Sequence, residues 1–114
     1  VLLHLWSPDC SSCESELVGL QGLMRNLDRS KLAVAAVAQG HDAAAARAFY
    51  NRHSVADLAI YTDATRQLST LFAASTLPAT ILVDRAGHAR ARHVGPAQWD
   101  ADVSKYIVRY FMET

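Results

Sequence analysis

The sequence predicts an α/β domain built on a mixed sheet, and three observations carry that expectation. Apolar runs of strand length alternate with segments of helical period in the order βαβαβαββα, a pattern that needs a partly parallel sheet with helices on its faces. The turn Asp84-Arg85-Ala86-Gly87 is too short to hold a crossover, so the strands on either side of it form an antiparallel hairpin. A chain of 114 residues, 51% hydrophobic and 19% charged, suits one domain with a single sizeable core.

The elements follow in order. Val1 to Trp6 (VLLHLW) is a nearly continuous apolar run closed by Ser7-Pro8-Asp9, as expected of a strand buried on both faces. From Cys10 to about Leu27 the period becomes helical. Leu17, Leu20, Met24 and Leu27 share a face, and Glu14 and Glu16 stand near the start, where the helix dipole favours acids. Gly19 and Gly22 weaken this helix by up to ~1 kcal/mol each relative to alanine, and they read as points of close packing. Lys31 to Ala38 is a second buried strand, left through Gln39-Gly40-His41. Asp42 is placed to N-cap a helix reaching about His53. Asp57 to Tyr61 is expected as a third strand, and Thr62-Asp63 as the start of a helix with Leu68, Leu71 and Phe72 on its apolar face. Thr76-Leu77-Pro78 stops that helix, because a residue before proline resists helical angles. Ala79 to Asp84 and Ala89 to Val94 are the hairpin strands. A last helix from about Ala97 carries Trp99, Val103, Tyr106, Ile107 and Tyr110, which read as core.

Composition removes several classes of function. Lys plus Arg and Asp plus Glu both total 11, for a net charge of zero, which argues against a nucleic-acid partner held by phosphate contacts and against a polybasic membrane binder. Two cysteines are too few for a disulfide scaffold, and by themselves cannot close a zinc site, so no metal site is expected. The longest uncharged run, Gln67 to Val83, is interrupted by Pro78 and is shorter than the roughly 20 apolar residues of a membrane span. The chain begins at Val1 inside an apolar run. It reads as a processed or trimmed domain, with any signal peptide or membrane anchor expected upstream.

The chemistry is expected where the first strand meets the first helix, at Cys10-Ser11-Ser12-Cys13. Cys10 is expected at the helix N-terminus, where the positive end of the dipole stabilises a thiolate. Cys13, one turn on, is close enough to close a small disulfide. This suits a two-step exchange in which Cys10 attacks a substrate disulfide and Cys13 resolves the mixed disulfide. No cofactor is needed beyond the redox-active Cys10–Cys13 pair.

Trp6-Ser7-Pro8-Asp9-Cys10-Ser11-Ser12-Cys13, followed by Glu16, resembles the active-site segment of thioredoxin-like proteins, specifically the TlpA/ResA/CcmG type of thiol:disulfide oxidoreductase. Leu77-Pro78-Ala79-Thr80-Ile81-Leu82-Val83-Asp84 resembles that family's cis-proline segment, Gly95 its glycine after the last strand, and Asp42 to Tyr61 its helix-plus-strand insertion. The resemblance implies a thioredoxin-like fold of strand order 3-2-1-4-5, with strand 4 antiparallel to strand 1. It implies a cis Pro78 facing the cysteines, with Thr76 and Leu77 offering backbone to an extended substrate peptide. It also implies a protein disulfide or dithiol substrate, a membrane electron donor, a monomer, and a periplasmic or membrane-tethered extracytoplasmic site. The activity expected is protein-disulfide reduction. The alternative is a copper or other soft-metal chaperone using Cys10, Cys13 and a histidine.

Trp6, Asp9, Ser11, Ser12 and His4 are the residues expected to tune the pair. His4 has two readings: a proton acceptor for Cys13, because imidazole titrates near about pH 6.5, or a core histidine with one hydrogen bond. Trp6 reads as core bordering the site, and Glu16 as a solvated charge in the first turn. Gln39, His41 and Asp42 are candidates for an acidic-type neighbour after the second strand. Arg85, His88, Arg90, Arg92 and His93 read as a solvated basic face. The family's proline one turn after the motif is replaced by Val18. Asp9 stands where the family has an aromatic residue, and a carboxylate there disfavours the Cys10 thiolate. Replacing it by Asp9→Trp should therefore lower the Cys10 pKa, read from the pH dependence of alkylation; equal values would refute the effect.

Overall fold

The structure, a computed structural model, describes residues 1–25 and 33–97. The predicted last helix with Trp99, Val103, Tyr106, Ile107 and Tyr110 lies outside these residues, as do Leu27 and Lys31. Eight elements follow one another: β1 (Leu2–Trp6), α1 (Cys13–Arg25), β2 (Val34–Gln39), α2 (Ala43–Arg52), β3 (Tyr61–Asp63), α3 (Gln67–Leu71), β4 (Ala79–Val83) and β5 (Ala89–Val94). They build the thioredoxin-like α/β fold that the sequence predicts, around a five-stranded sheet of order β3-β2-β1-β4-β5.

β1 is central and pairs on both sides. It runs parallel to β2 with Leu2 opposite Val34 and Trp6 opposite Ala38, and antiparallel to β4 with Leu2 opposite Leu82 and Leu5 opposite Ala79. β3 extends the parallel half and β5 the antiparallel half. Alternation along β1 divides the core in two. Leu2 and Trp6 point into the larger cluster, with Leu17, Leu20 and Leu23 of α1 and Ala46, Phe49 and Tyr50 of α2. Leu5 points the other way, into a cluster with Val37, Ala79 and Ile81, against which Leu68 of α3 packs. Trp6 is fully buried, with its ring centroid 4.9 Å from Phe49 and 5.6 Å from Tyr50. Burying a side chain of this class contributes on the order of 2–3 kcal/mol each, so the helix that carries Phe49 and Tyr50 is held to the sheet chiefly by this contact.

Local signals explain several boundaries. Asp42 caps α2 by accepting the Ala45 amide at 3.0 Å. The Asp84–Gly87 turn closes with the Gly87 amide donating to the Asp84 carbonyl at 3.1 Å, and Gly87 takes φ +87°, which a side chain would resist. The Asp84 carboxylate accepts the Ala86 and His88 amides and pairs with Arg90 Nε at 2.6 Å. The basic face is thus partly spent on its own hairpin, and Arg92 Nη1 donates to the Phe72 carbonyl at 2.7 Å.

The structure corrects four expectations of element bounds and packing, and Leu71, expected on the apolar face of α3, is exposed. β3 begins at Tyr61 and ends at Asp63, so Asp57–Tyr61 is mostly loop: Leu58 is buried from an irregular segment while strand pairing starts later. Thr62 and Asp63 close that strand rather than opening a helix, and α3 starts only at Gln67. Asp63 still starts the helix, at a distance, because its carboxylate accepts the Gln67 amide at 3.0 Å and the Leu68 amide at 2.8 Å. Desolvation raises the Asp63 pKa, but the amides of Leu68 and Gln67 outweigh it and hold the carboxyl below its usual range. α1 starts at Cys13, not Cys10, because two successive turns precede it: the Cys10 amide donates to the Ser7 carbonyl at 3.1 Å and the Cys13 amide to the Cys10 carbonyl at 3.2 Å. Pro8 sits second in the first of these turns, where its fixed φ is favoured.

Gly22 is the fourth. It was expected at a close contact, yet nothing among the described residues lies within 4 Å of where its Cβ would stand. Gly22→Ala should therefore stabilise the fold by about 0.5–1 kcal/mol in denaturant titration, through helix propensity alone. A loss of stability would show that the position is crowded.

Candidate active site

The site forms where β1 ends and β4 begins. Because Leu5 pairs with Ala79, the loop leaving β1 and the segment entering β4 lie side by side. The first carries the cysteines, the second Thr76-Leu77-Pro78. Cys10 and Cys13 form a disulfide with Cα atoms 5.4 Å apart. Cys13 is fully buried in the larger core, whereas Cys10 is half-buried at the surface. The two sulfurs are therefore not equivalent: Cys10 borders solvent and Cys13 does not.

The Leu77–Pro78 peptide is cis. Pro78 is buried and its carbonyl accepts the Gly95 amide at 2.8 Å, which ties the segment to the end of β5. The Leu77 carbonyl oxygen stands 3.5 Å from Cys10 Sγ, within reach of the proton of a reduced thiol. Ser12 Oγ lies 3.6 Å from the same sulfur, so one hydroxyl is available to a Cys10 thiolate. Thr76 is exposed beside it. A cavity of about 340 Å³ opens next to Cys10, lined by Asp9, Arg66, Ser69, Thr76 and Leu77 among others.

Below the cysteines lies a buried polar group. His4 is opposite Thr80 in the β1–β4 register, and its Nδ1 is hydrogen-bonded to Thr80 Oγ1 at 3.1 Å. His4 Nε2 has no hydrogen-bond partner among the described residues. Burial pushes the His4 pKa down to about 3, because the charged imidazolium loses its hydration. The ring is thus neutral at pH 7, and its 4.0 Å approach to Glu16 Oε1 is not an ion pair there. The reading of His4 as a group titrating near neutrality loses its basis, and a core histidine with one side-chain hydrogen bond describes it.

Glu16 departs from expectation. It is 2% exposed rather than solvated, and its carboxylate accepts the Ala97 amide at 2.6 Å. The signal was present: three residues after Cys13 a helix returns to the same face, and Glu16 belongs to the motif. Trp6 is core and does not reach the cavity. Ser11 is exposed on the turn between the cysteines. Asp9 is turned to His41, whose Nε2 donates to its Oδ2 at 2.9 Å. Of the other candidates, Gln39 is the last residue of β2, buried and accepting from Ser69 Oγ at 2.7 Å, and Asp42 caps α2. His41 and Gln39 each adjoin the cavity through a residue that lines it, Asp9 and Ser69. Arg66, which sequence reasoning did not single out, lines the cavity because α3 folds back over the β2 exit, a contact with no local pattern.

The His4 pKa gives a pH test. It is lower in the folded chain, about 3 against an ordinary 6.5, so the unfolded chain binds more protons between those values and stability falls as pH drops through that window. Wild type should lose about 2 kcal/mol more than His4→Asn between about pH 7 and about pH 5 in denaturant titrations. Parallel pH profiles would place the neutral imidazole in doubt.

Comparison with known proteins agrees with this architecture. A secreted Mycobacterium tuberculosis disulfide oxidoreductase homologous to E. coli DsbE matches with a TM-score of 0.70 at 17% identity, over 98% of this chain and 78% of its own. The exposed lipoprotein thioredoxin Etrx1 of Streptococcus pneumoniae matches with a TM-score of 0.79 at 20% identity, over 99% and 83%. A thiol-disulfide isomerase from Corynebacterium glutamicum gives 0.78 at 17% identity, over 99% and 80%. No curated protein sequence matches significantly. Residues 1–92 match the family described as AhpC/TSA. Matched over residues 1–92, and with a thioredoxin-like fold that carries a Cys10–Cys13 disulfide, this chain belongs to the AhpC/TSA family.

Proposed function

We propose that this chain is a protein-disulfide reductase acting by dithiol–disulfide exchange. One observation carries the reading: Cys10 is half-exposed beside the Leu77 carbonyl, while its partner Cys13 is fully buried. In the reduced protein the Cys10 thiolate attacks one sulfur of a substrate disulfide. A Cys10–substrate S–S bond forms, the substrate S–S bond breaks, and the departing thiolate takes up a proton. Cys13 then loses its proton and attacks Cys10. The Cys10–Cys13 bond forms, the mixed disulfide breaks, and the second substrate thiol is released. Two electrons and two protons have passed to the substrate, so no cofactor is required beyond the pair itself. A dithiol donor must then reduce the protein again, and a membrane electron donor is our candidate.

Thr76, Leu77 and Pro78 would receive an extended substrate strand, since the Leu77 carbonyl already faces the reacting sulfur. Ser12 would donate to the Cys10 thiolate. Asp9 and the exposed Ser11 would adjust its stability, and His4 and Trp6 would hold the floor of the site. An extracytoplasmic location is supported by the secreted and lipoprotein character of two structural neighbours. Among the described residues no helix is long and apolar enough to cross a membrane. The soft-metal alternative finds less support, because the described residues gather no group of three or more metal-binding side chains.

Cys13→Ser should accumulate a mixed disulfide with a disulfide-bonded protein substrate, visible as a mass shift that thiols reverse, and Cys10→Ser should form none. Trapping through Cys13 instead would reverse the two roles. The reduction potential decides the direction. A value near that of thioredoxin, about −270 mV, supports a reductase; one near about −120 mV would make the protein an oxidant.

A further inference from the structure

The cavity beside Cys10 has a charged wall that the exchange chemistry does not use. Arg66 stands at the entry to α3 in the left-handed region, with φ 57° and ψ 37°, a conformation uncommon for a residue with a side chain. Its amide and that of Gly40 donate to the same carbonyl, that of Asp63, at 3.2 and 2.9 Å. The two backbones are therefore locked together, and the Arg66 side chain lies against the bare face of Gly40. A Cβ on Gly40 would stand 2.7 Å from Arg66 Nε and 3.2 Å from Nη2. The missing side chain at Gly40 is what lets the guanidinium occupy this place on the cavity wall.

Two carboxylates lie near it, Asp9 on the same cavity wall and Asp63 at the start of α3, and each makes its hydrogen bonds to other groups. Asp63 accepts the Gln67 and Leu68 amides, and Asp9 pairs with His41. The ion pairs among the described residues do not include Arg66. An exposed guanidinium with no ion-pair partner among the described residues thus shares one cavity with Cys10, Thr76 and Leu77. A peptide lying along Thr76-Leu77 with its cysteine at Cys10 presents a neighbouring side chain to that cavity. A planar guanidinium there binds a carboxylate through paired hydrogen bonds and repels an ammonium.

We propose that Arg66 is a specificity residue of this site, selecting disulfide-bonded peptides that carry an acidic side chain next to the reacting cysteine. This rests on the exchange reaction proposed above and names its substrate class.

The test uses the reduced protein and disulfide-linked peptides identical except for Glu, Gln or Lys flanking the cysteine, with second-order rates followed by stopped flow. At about 0.02 M salt the Glu peptide should react about fivefold faster than the Lys peptide, in the order Glu, Gln, Lys, as one exposed charge contact allows. The ratio should shrink at about 0.5 M salt, because the contact is coulombic and exposed. It should fall to about one in Arg66→Gln and in Arg66→Gly, the latter a residue at ease with positive φ, and persist in part in Arg66→Lys. A ratio of one in wild type, or one that survives both neutralising variants, overturns the proposal. Failure of the underlying reaction looks different: no peptide is reduced by any variant, and the proposal falls with it.

Discussion

The antiparallel pairing of β1 with β4 is the constraint on which the rest depends. The cysteines follow β1 and the cis proline precedes β4, so only antiparallel strands bring these two ends to one edge of the sheet. The register then sets the distances. With Leu5 opposite Ala79, Cys10 Sγ comes to 3.5 Å from a carbonyl 67 residues away. With His4 opposite Thr80, the same pairing satisfies one nitrogen of a histidine that is otherwise inside the core. A slip by one residue would turn Leu2 and Trp6 out of their cluster and His4 to the other face, so the buried apolar residues enforce the register that the chemistry needs.

The two cysteines are given different work by depth. Cys13 opens α1 and faces the core with Leu17 and Leu20, while Cys10 sits on the turn that precedes the helix. Ser12 and Leu77 are its polar neighbours, one through a hydroxyl at 3.6 Å from the sulfur and the other through a carbonyl at 3.5 Å. Beneath them the sheet and helix bury His4 and Glu16 together. Burying such groups costs several kcal/mol unless they are hydrogen-bonded or neutral, and here the histidine is neutral while the glutamate accepts a backbone amide. The loop after α2 is fastened to α1 in a related way, by Gln21 Oε1 accepting the Ala56 and Asp57 amides and by Arg25 pairing with Asp57 at 2.7 Å.

What was legible and what was not follows a physical line. The β1 run, the Asp42 cap and the Asp84–Gly87 hairpin are short-range signals, and each was found where expected. Asp57–Tyr61 alternates like a strand because Leu58 must be buried, yet burial alone does not supply a pairing partner, and β2 offers its edge only from Tyr61. Asp63 was recognised as a helix starter but not as one acting across three intervening residues. Acids in a first helical turn are usually solvated, but Glu16 is buried, and a backbone amide that its carboxylate accepts comes from 81 residues away.

By itself the sequence determined the order of elements, the hairpin, the redox pair and the class of chemistry, because each is written in residues close together along the chain. The tertiary structure alone decided which cysteine is reachable, that His4 is neutral, that Glu16 is buried and that Arg66 faces the cavity beside Cys10. Those properties depend on solvent exclusion and on contacts between distant segments. Local periodicity and spacing record neither.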